Sequence, residues 1–353
     1  MTDKPQSGAV ASQPTGGESS SVKSRTAIDS SRLVKSLVAF RKPSARRSWY
    51  ELAVTFLPFI VVVAIMMFGV TKSYYSALLL TPLSGLLLLR MFIIQHDCGH
   101  GAFMPSKRSN DWIGRSIGVL TLTPYDCWRR SHELHHAGTG NLDARGFGDV
   151  DTLTVREFQS LSPLKRFGYR LYRHPVTILG FGPAYLFLLR HRLPIGLMKA
   201  GARYWISAMA TNAAAGFLLA VLSWRFGLGT TLLVFLPTLI FAATVGVWLF
   251  YIQHQFEGTH WDPRSDWSFK EAALHGSSYL DLPAPLRWFT GGIGIHHIHH
   301  LMSRIPFYRL HEALGAHPEL ASVNRITPRQ TIRPFLLSLW DEEKRKMVRF
   351  RDV

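Results

Sequence analysis

The sequence has few cysteines and lacks the short motifs that bind many redox cofactors. Cys98 and Cys127 are the two cysteines among 353 residues, and they do not form a CxxC pair. A disulfide framework, an iron–sulfur cluster and a cysteine-rich zinc site are therefore excluded. The chain also has no His-Pro-Gly-Gly haem signature and no GxGxxG dinucleotide-binding fingerprint. Any redox chemistry would need electrons from a separate donor.

Charged residues are missing from four long segments. These uncharged segments are residues 52–70, 73–89, 204–224 and 228–252. The second continues after Arg90 as an apolar run, and we extend it to residue 95. A helix needs about 20 mainly apolar residues to cross a bilayer. We therefore predict four membrane spans, at 52–70, 73–95, 204–224 and 228–252. Buried helices of a soluble protein are the alternative, but a chain of this length has little room for four of them.

Acidic residues are scarce, and the excess of basic residues is unevenly distributed. The chain has 23 Asp and Glu against 40 Lys and Arg, a formal net charge of +17. Nine basic residues lie in residues 1–48, sixteen in residues 90–203, and thirteen in residues 264–351. The two short connections contain one each, Lys72 and Arg225. By the positive-inside rule, both termini and the middle segment face the cytosol.

These features predict an all-α integral membrane protein. Its four transmembrane helices would form two hairpins, and residues 96–203 and 253–353 would form a cytosolic helical cap. Nucleic acid is not an expected partner, because the basic residues are spread over a membrane protein rather than gathered into a binding patch. A basic cytosolic face instead favours anionic membrane lipids and an acidic protein partner.

Residues 1–48 are rich in Ser, Gly, Pro and Gln and poor in large apolar side chains. Such a segment buries too little apolar surface to fold alone. We predict a disordered basic tail at 1–48 and a membrane domain at 49–353. The tail has no apolar core before a cleavage site, so it does not resemble a secretory signal peptide. The first span is expected to direct membrane insertion.

Eight of the 16 histidines fall in three short clusters with HxxxH, HxxHH and HxxHH spacing. They are His96, His100, His132, His135, His136, His296, His299 and His300. Residues three or four apart share one face of a helix, so each cluster can direct several imidazoles to one place. A neutral imidazole offers a lone pair to a transition metal. The spacing therefore indicates metal ligands, whereas His191 and His311, which lack it, are predicted to be surface residues.

All three clusters are predicted to lie just below the cytosolic membrane surface. His96 follows the second span directly, and His254 occupies the same depth at the end of the fourth. Eight or nine imidazoles are too many for one metal but fit two metals with four or five ligands each. Iron, copper, nickel and zinc all remain open. A dizinc hydrolase would usually bring carboxylate ligands, and a metal transporter would place charged residues within its spans.

Longer stretches around the histidines resemble the membrane-bound fatty-acid desaturases. HDCGHGAF, YIQHQFEGTHW and WFTGGIGIHHIHHL resemble the acyl-lipid branch, particularly bacterial and omega-6-like members, within a similarity over about residues 50–315. The resemblance implies an enzyme that uses two non-haem irons, O2 and two electrons to insert a double bond into a lipid-linked acyl chain. It implies ferredoxin or a cytochrome b5-like protein as electron donor and the bacterial cytoplasmic membrane as location. A hydroxylase with the same metals is the alternative.

The resemblance also assigns roles to individual residues. It implies that the eight clustered histidines and His254 are the metal ligands, with His297 as a candidate extra ligand. Polar residues close to the clusters could orient the imidazoles through the second ring nitrogen, or could equally be solvated surface residues. These candidates are Asp97, Glu133, Asn141, Asp149 and Glu257.

Two positions depart from the family pattern. The family commonly has TGN where this chain has Gly292, and PNY where it has Phe307 between Pro306 and Tyr308. These changes leave the histidine clusters whole, so they bear on the outcome of the reaction rather than on metal binding. The acyl chain is expected to lie in an apolar tunnel. Aromatic candidates for its lining are Trp128, Trp248, Phe250, Trp261 and Trp288.

Overall fold

The computed structural model describes residues 30–146 and 148–353, which are mostly helical. The α-helices are α1 (Ser30–Leu37), α2 (Ala45–Thr71), α3 (Thr81–Gly99), α4 (Lys107–Leu120), α5 (Tyr125–Gly138), α6 (Val155–Ser160), α7 (Pro163–Tyr172), α8 (Gly182–Ala184), α9 (Ala202–Phe226), α10 (Leu228–His254), α11 (Phe269–His275), α12 (Ala284–Phe289), α13 (His296–Leu301) and α14 (Leu310–Ala316). One turn of π-helix precedes α8 (Thr177–Phe181) and another follows it (Tyr185–Leu189).

Four helices are long and apolar enough to cross a membrane: α2, α3 with the 3-10 turn Tyr75–Leu80 before it, α9 and α10. They correspond to the four predicted spans, and each continues past its predicted C-terminal end by one to four residues. Helix α2 also begins before its predicted start, at Ala45, where the side chain of Ser44 accepts the N–H of Arg47 at 3.4 Å. Such capping satisfies a backbone donor at the helix start, so polar residues prolong the helix beyond its apolar run.

Helices α3 and α10 form the centre of the membrane-spanning group. Helix α3 packs against α2 and α10, and α9 packs against α10. The hydroxyls of Ser84 and Thr238 are hydrogen-bonded across the α3–α10 contact at 2.8 Å. Gly85 allows this close approach, because a Cβ there would lie 2.5 Å from the ring of Phe241. The two helices are thus held in one register.

A buried ion pair joins α2 to α3 at Arg90, the residue that interrupts the second apolar run. Arg90 pairs with Glu51 of α2 at 2.5 Å, and its Nε donates to Thr55 Oγ1 at 3.0 Å. Its guanidinium lies 4.1 Å from the ring centroid of Trp288. Removing charges from water costs several kcal/mol per ion, so pairing is essential here. The pair fixes α2, α3 and the end of α12 relative to one another.

The structure differs from the predicted disordered tail over residues 30–48. Leu33 and Leu37 lie one turn apart on α1, and they are only 5% and 0% exposed. Ser36 Oγ also lies 3.0 Å from His317 Nε2. This short amphipathic helix is not apparent from the average composition of residues 1–48. Its apolar side chains pack on the folded domain. The prediction for residues 1–29 lies outside the described residues.

Short strands are present as well, which the all-α prediction omitted. They are β1 (Leu153–Thr154), β2 (Tyr279–Leu280), β3 (Arg325–Ile326), β4 (Leu339–Asp341) and β5 (Lys346–Val348). Strand β4 pairs in parallel with β1 and antiparallel with β5, and β2 pairs in parallel with β3. Strands of two or three residues are too short to produce a recognisable apolar alternation. Strand β2 also bridges to Ile295, the residue before α13.

Candidate metal centre

Nine histidines from four helices converge in two groups. The first group is His96, His100, His132, His136 and His299; the second is His135, His254, His296 and His300. Within each group the candidate ligand nitrogens all lie within 4.8 Å of one another. The structure therefore brings together the eight clustered histidines and His254, which the sequence analysis singled out.

The spacing within each cluster explains how the histidines divide. In α5, His132 and His136 belong to the first group, whereas His135 belongs to the second. In α13, His296 and His300 belong to the second group, and His299 belongs to the first. At about 100° per residue, the side chains at positions i and i+4 point in nearly the same direction. The side chain at i+3 is rotated to the opposite side of position i. An HxxHH cluster on a helix therefore serves two adjacent sites.

The Nε2 atoms are close enough to share a metal ion. His296 Nε2 lies 3.0 Å from that of His254 and 3.1 Å from that of His300. In the first group, His132 Nε2 lies 3.1 Å from the Nε2 atoms of both His100 and His136. Since a neutral imidazole has one N–H and one lone pair, hydrogen bonds alone do not explain such convergence. Ligands at right angles around an ion about 2.1 Å away would be separated by about 3.0 Å.

The environment keeps these imidazoles neutral. Burial, reinforced by neighbouring imidazoles, lowers the pKa of the following residues well below its ordinary value: His100, His132, His135, His136, His296, His299 and His300. A ligand nitrogen must be unprotonated to bind a metal. The donor set, all nitrogen and uncharged, suits iron, copper, nickel or zinc.

Two predicted orienting residues lie beside imidazoles. Asp97 Oδ1 is 3.2 Å from His96 Nδ1, and Asp149 Oδ2 is 3.7 Å from His135 Nδ1. Burial raises the pKa of Asp149 to about 7. A third orienting group, missed by the sequence analysis, is the carbonyl oxygen of Gly276, 3.3 Å from His254 Nδ1. A backbone oxygen carries no side-chain signal, so the sequence could not reveal it.

The other three predicted orienting residues have different partners in the described part of the chain. Glu133 pairs with Arg129 at 2.9 Å. Glu257 pairs with Arg333 at 2.5 Å. The side chain of Asn141 accepts the N–H of Asp143 at 2.9 Å and caps a short 3-10 turn. Proximity in sequence misled here, because side chains that follow a ligand on a helix or loop need not share its direction.

His297 lies outside both groups. It is fully buried, and its Nε2 is 3.1 Å from the carbonyl oxygen of Leu320. Next to His296 on α13, it points about 100° away from the ligand face and packs towards the segment after α14. His297 therefore contacts a backbone carbonyl and does not converge with the other imidazoles, as a metal ligand would.

The two departures from the family pattern are accommodated locally. Gly292 has a φ of +69°, and a Cβ there would lie 3.3 Å from the ring of His311. The left-handed backbone and the adjacent ring together favour glycine. At Phe307, the backbone N–H donates to Asp97 Oδ2 at 2.6 Å, so the contact does not depend on which side chain follows Pro306. His311 lies beside Gly292 and is exposed, as predicted for a surface residue.

A cavity of about 500 Å³ reaches both groups of histidines. His96, His132 and His296 form part of its wall, and Trp128 and Phe250 are the two predicted aromatic residues that line it. Trp128 stacks on His132 with 4.6 Å between ring centroids. The cavity continues between α3 and α10, where its lining is apolar: Leu88, Leu89, Leu239, Ala242, Ala243, Gly246 and Val247.

The remaining predicted aromatic residues lie elsewhere in the described structure. Trp288 covers Arg90, and Trp261 is packed with Trp340 and Met347 in a separate apolar cluster. Trp248 packs against the main apolar core. His191, predicted to be a surface residue, instead lines the cavity. Its sequence neighbours are two arginines, which is why the sequence suggested an exposed position.

The fold and the site together define a class: a helical membrane protein with two adjacent polyhistidine sites beside an apolar cavity. The family model described as fatty acid desaturase matches residues 72–327. The chain is 40% identical over 324 residues to a fatty acid desaturase of Bacillus subtilis, covering 91% of each protein. It is 31% identical over 268 residues to the sn-1 acyl-lipid omega-3 desaturase (ferredoxin) of Synechocystis, covering 73% of this chain and 72% of that protein. The similarly described protein of Nostoc is 30% identical over 262 residues, covering 69% of each. The chain belongs to the fatty acid desaturase family and is an oxidoreductase.

Proposed function

We propose that this enzyme is an O2-dependent acyl-lipid desaturase whose nine convergent histidines hold two irons. The observation that carries the proposal is the division of these imidazoles into groups of five and four beside one apolar cavity. When bound, two irons would supply the oxidising chemistry by which O2, two electrons and two protons convert –CH2–CH2– into –CH=CH– with release of two waters. His297 is not required as a ligand in this proposal.

The chain's own residues would hold the metals, orient the ligands and exclude water. Asp97 and the carbonyl of Gly276 are placed to accept N–H groups from His96 and His254 at Nδ1. Each such bond would leave the Nε2 lone pair free for the metal. Trp128 and Phe250 cover one side of the site, since they pack on His132 and His135. An acyl chain in the cavity would thus meet the site in a dry, apolar setting.

The cavity and the named relatives support a proposal for the substrate and for the electron donor. An apolar cavity that begins at the metal site and runs between two spans suits an extended acyl chain. The Synechocystis and Nostoc relatives are acyl-lipid enzymes described with ferredoxin. We propose lipid-linked acyl chains as substrate and ferredoxin as donor, with a cytochrome b5-like protein as the other candidate. An acidic donor would be attracted by the net positive charge of +17.

We further propose that the four spans form two hairpins in the bacterial cytoplasmic membrane. Both termini and the metal site would face the cytosol, in a cap built from residues 96–203 and 253–353. The uneven distribution of Lys and Arg supports this orientation. A fluorescent-protein fusion at the C-terminus should fluoresce, and an alkaline phosphatase inserted between α9 and α10 should be active. The reverse pattern would contradict the orientation.

The function is tested by expressing the full chain in a bacterial host that lacks this activity, together with a ferredoxin and its reductase. Fatty acids would be analysed by gas chromatography–mass spectrometry after derivatives that locate double bonds, with His135→Ala as control. A new unsaturated acid, absent from the control, together with about two irons per purified chain supports the proposal. A hydroxylated acid would instead assign the hydroxylase alternative. An iron-free protein that still forms the product would contradict the metal assignment.

A further inference from the structure

One wall of the cavity has basic side chains that the proposed chemistry does not use. Arg190 and His191 line it, next to the apolar residues Leu193 and Ile195. Arg190 is half buried and forms no ion pair within the described part of the chain. The neighbouring Arg192 is different, because its guanidinium donates to Asn212 Oδ1 at 2.7 Å and to the carbonyl of Leu122. Arg192 thus secures the segment, whereas Arg190 is available to a ligand.

His191 adds a second unsatisfied polar group at the same place. Its Nδ1 is buried and has no hydrogen-bond partner among the described residues. Its ring packs edge-on against Phe187, with 5.1 Å between centroids, so its position is fixed. Leaving a buried polar atom unpaired is unfavourable, and a ligand that reached this atom would supply the missing partner. A guanidinium and an imidazole in the lining of one cavity can together offer several hydrogen-bond donors to one anionic group.

A continuous aromatic wall connects this basic part to the metal site. From Phe187 it continues to Phe92 and then to Trp128, with ring centroids 6.3 Å and 5.4 Å apart. Trp128 in turn stacks on His132 of the first histidine group. Apart from His132, these side chains are aromatic and largely apolar, so the wall suits the methylene carbons of an acyl chain. A molecule bound at Arg190 could therefore extend to the metal site within one cavity.

The surroundings of Arg190 are apolar and lie beside the membrane-spanning helices. Leu189 is 64% exposed, Leu193 is 44% exposed and Ile195 is 42% exposed. Asn212, the partner of Arg192, lies ten residues from the start of α9, or about 15 Å along that helix. The segment thus lies beside the spans, with apolar side chains facing outwards. A membrane lipid can reach this site laterally from the bilayer, whereas a soluble carrier would have to pass these exposed apolar residues.

We propose that Arg190 and His191 bind the phosphate of a phosphoglycerolipid whose acyl chain extends along the cavity to the histidine groups. This inference rests on the proposed function and adds the headgroup class of its lipid substrate. Arginine binds phosphate through two parallel charge-assisted hydrogen bonds, and it is preferred wherever that geometry is needed. The acidic lining residues Asp149 and Asp151 belong to the loop beside α5, where Asp149 faces His135.

The test measures lipid binding by the full, iron-loaded protein and needs no turnover. Native mass spectrometry would compare retention of dioleoyl phosphatidylglycerol, dioleoylglycerol, monogalactosyl dioleoylglycerol and oleoyl-CoA at equal concentrations. We expect the wild type to prefer phosphatidylglycerol over the two lipids without phosphate by about tenfold, equivalent to about 1.4 kcal/mol. Arg190→Gln should abolish this preference, and Arg190→Lys should keep part of it. Lys199→Gln, an exposed basic residue outside the cavity lining, should leave it unchanged.

Several results would overturn the inference. Equal retention of dioleoylglycerol and phosphatidylglycerol by the wild type would do so without any variant. Undiminished selectivity in Arg190→Gln, with iron content as in the wild type, would do so as well. Displacement of phosphatidylglycerol by an equal amount of oleoyl-CoA would assign the phosphate site to a soluble carrier. Loss of lipid selectivity with a normal fatty-acid product leaves the proposed function intact, whereas selective binding without product or iron contradicts that function alone.

Discussion

Asp97 links His96 to the segment that follows α13: its Oδ1 lies 3.2 Å from His96 Nδ1, and its Oδ2 accepts the backbone N–H of Phe307 at 2.6 Å. The carboxylate therefore joins a histidine of the first group, at the end of α3, to a segment more than 200 residues away in sequence. Because both oxygens are engaged, the orientation of the His96 ring depends on the position of Phe307.

Asp97→Asn should weaken iron binding. An amide of the same shape can accept at one oxygen only, so either His96 or the N–H of Phe307 loses its acceptor. Loss of such an orienting group typically lowers metal affinity about 10–100-fold. Iron retention during titration with a chelator would measure the change. Glu133→Gln is the matched control, because Glu133 pairs with Arg129 away from the imidazoles. Equal iron retention in Asp97→Asn and the control would show that Asp97 does not orient His96.

The neighbouring residues His296 and His297 should respond in opposite ways. His296→Ala removes a convergent Nε2 from the second group, and we expect iron loss and a fall in turnover of about 100-fold or more. His297→Asn should keep both iron and turnover within about twofold, since an amide can still donate to the Leu320 carbonyl. Metal analysis and product quantification on the same preparations would compare them. Iron loss in His297→Asn would indicate that His297 is a tenth metal ligand.

Much of the site could be predicted because its pattern is local. The i, i+3, i+4 spacing of His132, His135 and His136 follows from helix geometry alone, and their convergence with His254 follows from the positions of the spans. What the sequence left open was the division of each cluster between two groups. That division depends on how α5, α10 and α13 face one another, which is a property of the tertiary packing.

The errors have a common physical origin. Glu133 and Asn141 were chosen for sequence proximity, but the structure directs their side chains to an arginine and to a backbone N–H. Conversely, the carbonyl of Gly276 belongs to the site without any side chain to mark it. Helix α1 and the short strands were not predicted, because they are stabilised by contacts with distant segments. Periodicity within a window reveals neither kind of contact.

The apolar end of the cavity should limit the length of the acyl chain. Ala242 and Gly246 lie one turn apart on the lining face of α10, where a larger side chain would occupy the cavity. Ala242→Phe should shift the product towards shorter acids than those the wild type makes, by roughly 10–200-fold in relative turnover if a few methylene sites are lost. Co-expression with a defined mixture of fatty acids and product analysis would measure this ratio. Leu236→Phe on the exposed face of α10 is the control, and an identical shift in both variants would place the limit elsewhere.

The buried pair of Glu51 and Arg90 should contribute to stability far more than an exposed pair does. Glu51→Gln leaves the Arg90 guanidinium buried without its carboxylate, which typically costs about 3–5 kcal/mol. The apparent Tm of the detergent-solubilised full chain should therefore fall by roughly 5–15 °C. Glu312→Gln breaks the exposed pair with Arg309 and should change the Tm by about 2 °C or less. Since Trp288 and Phe307 pack on Arg90, Glu51→Gln should also loosen iron retention at His96. A Tm equal to that of Glu312→Gln would show that water or another group compensates the arginine.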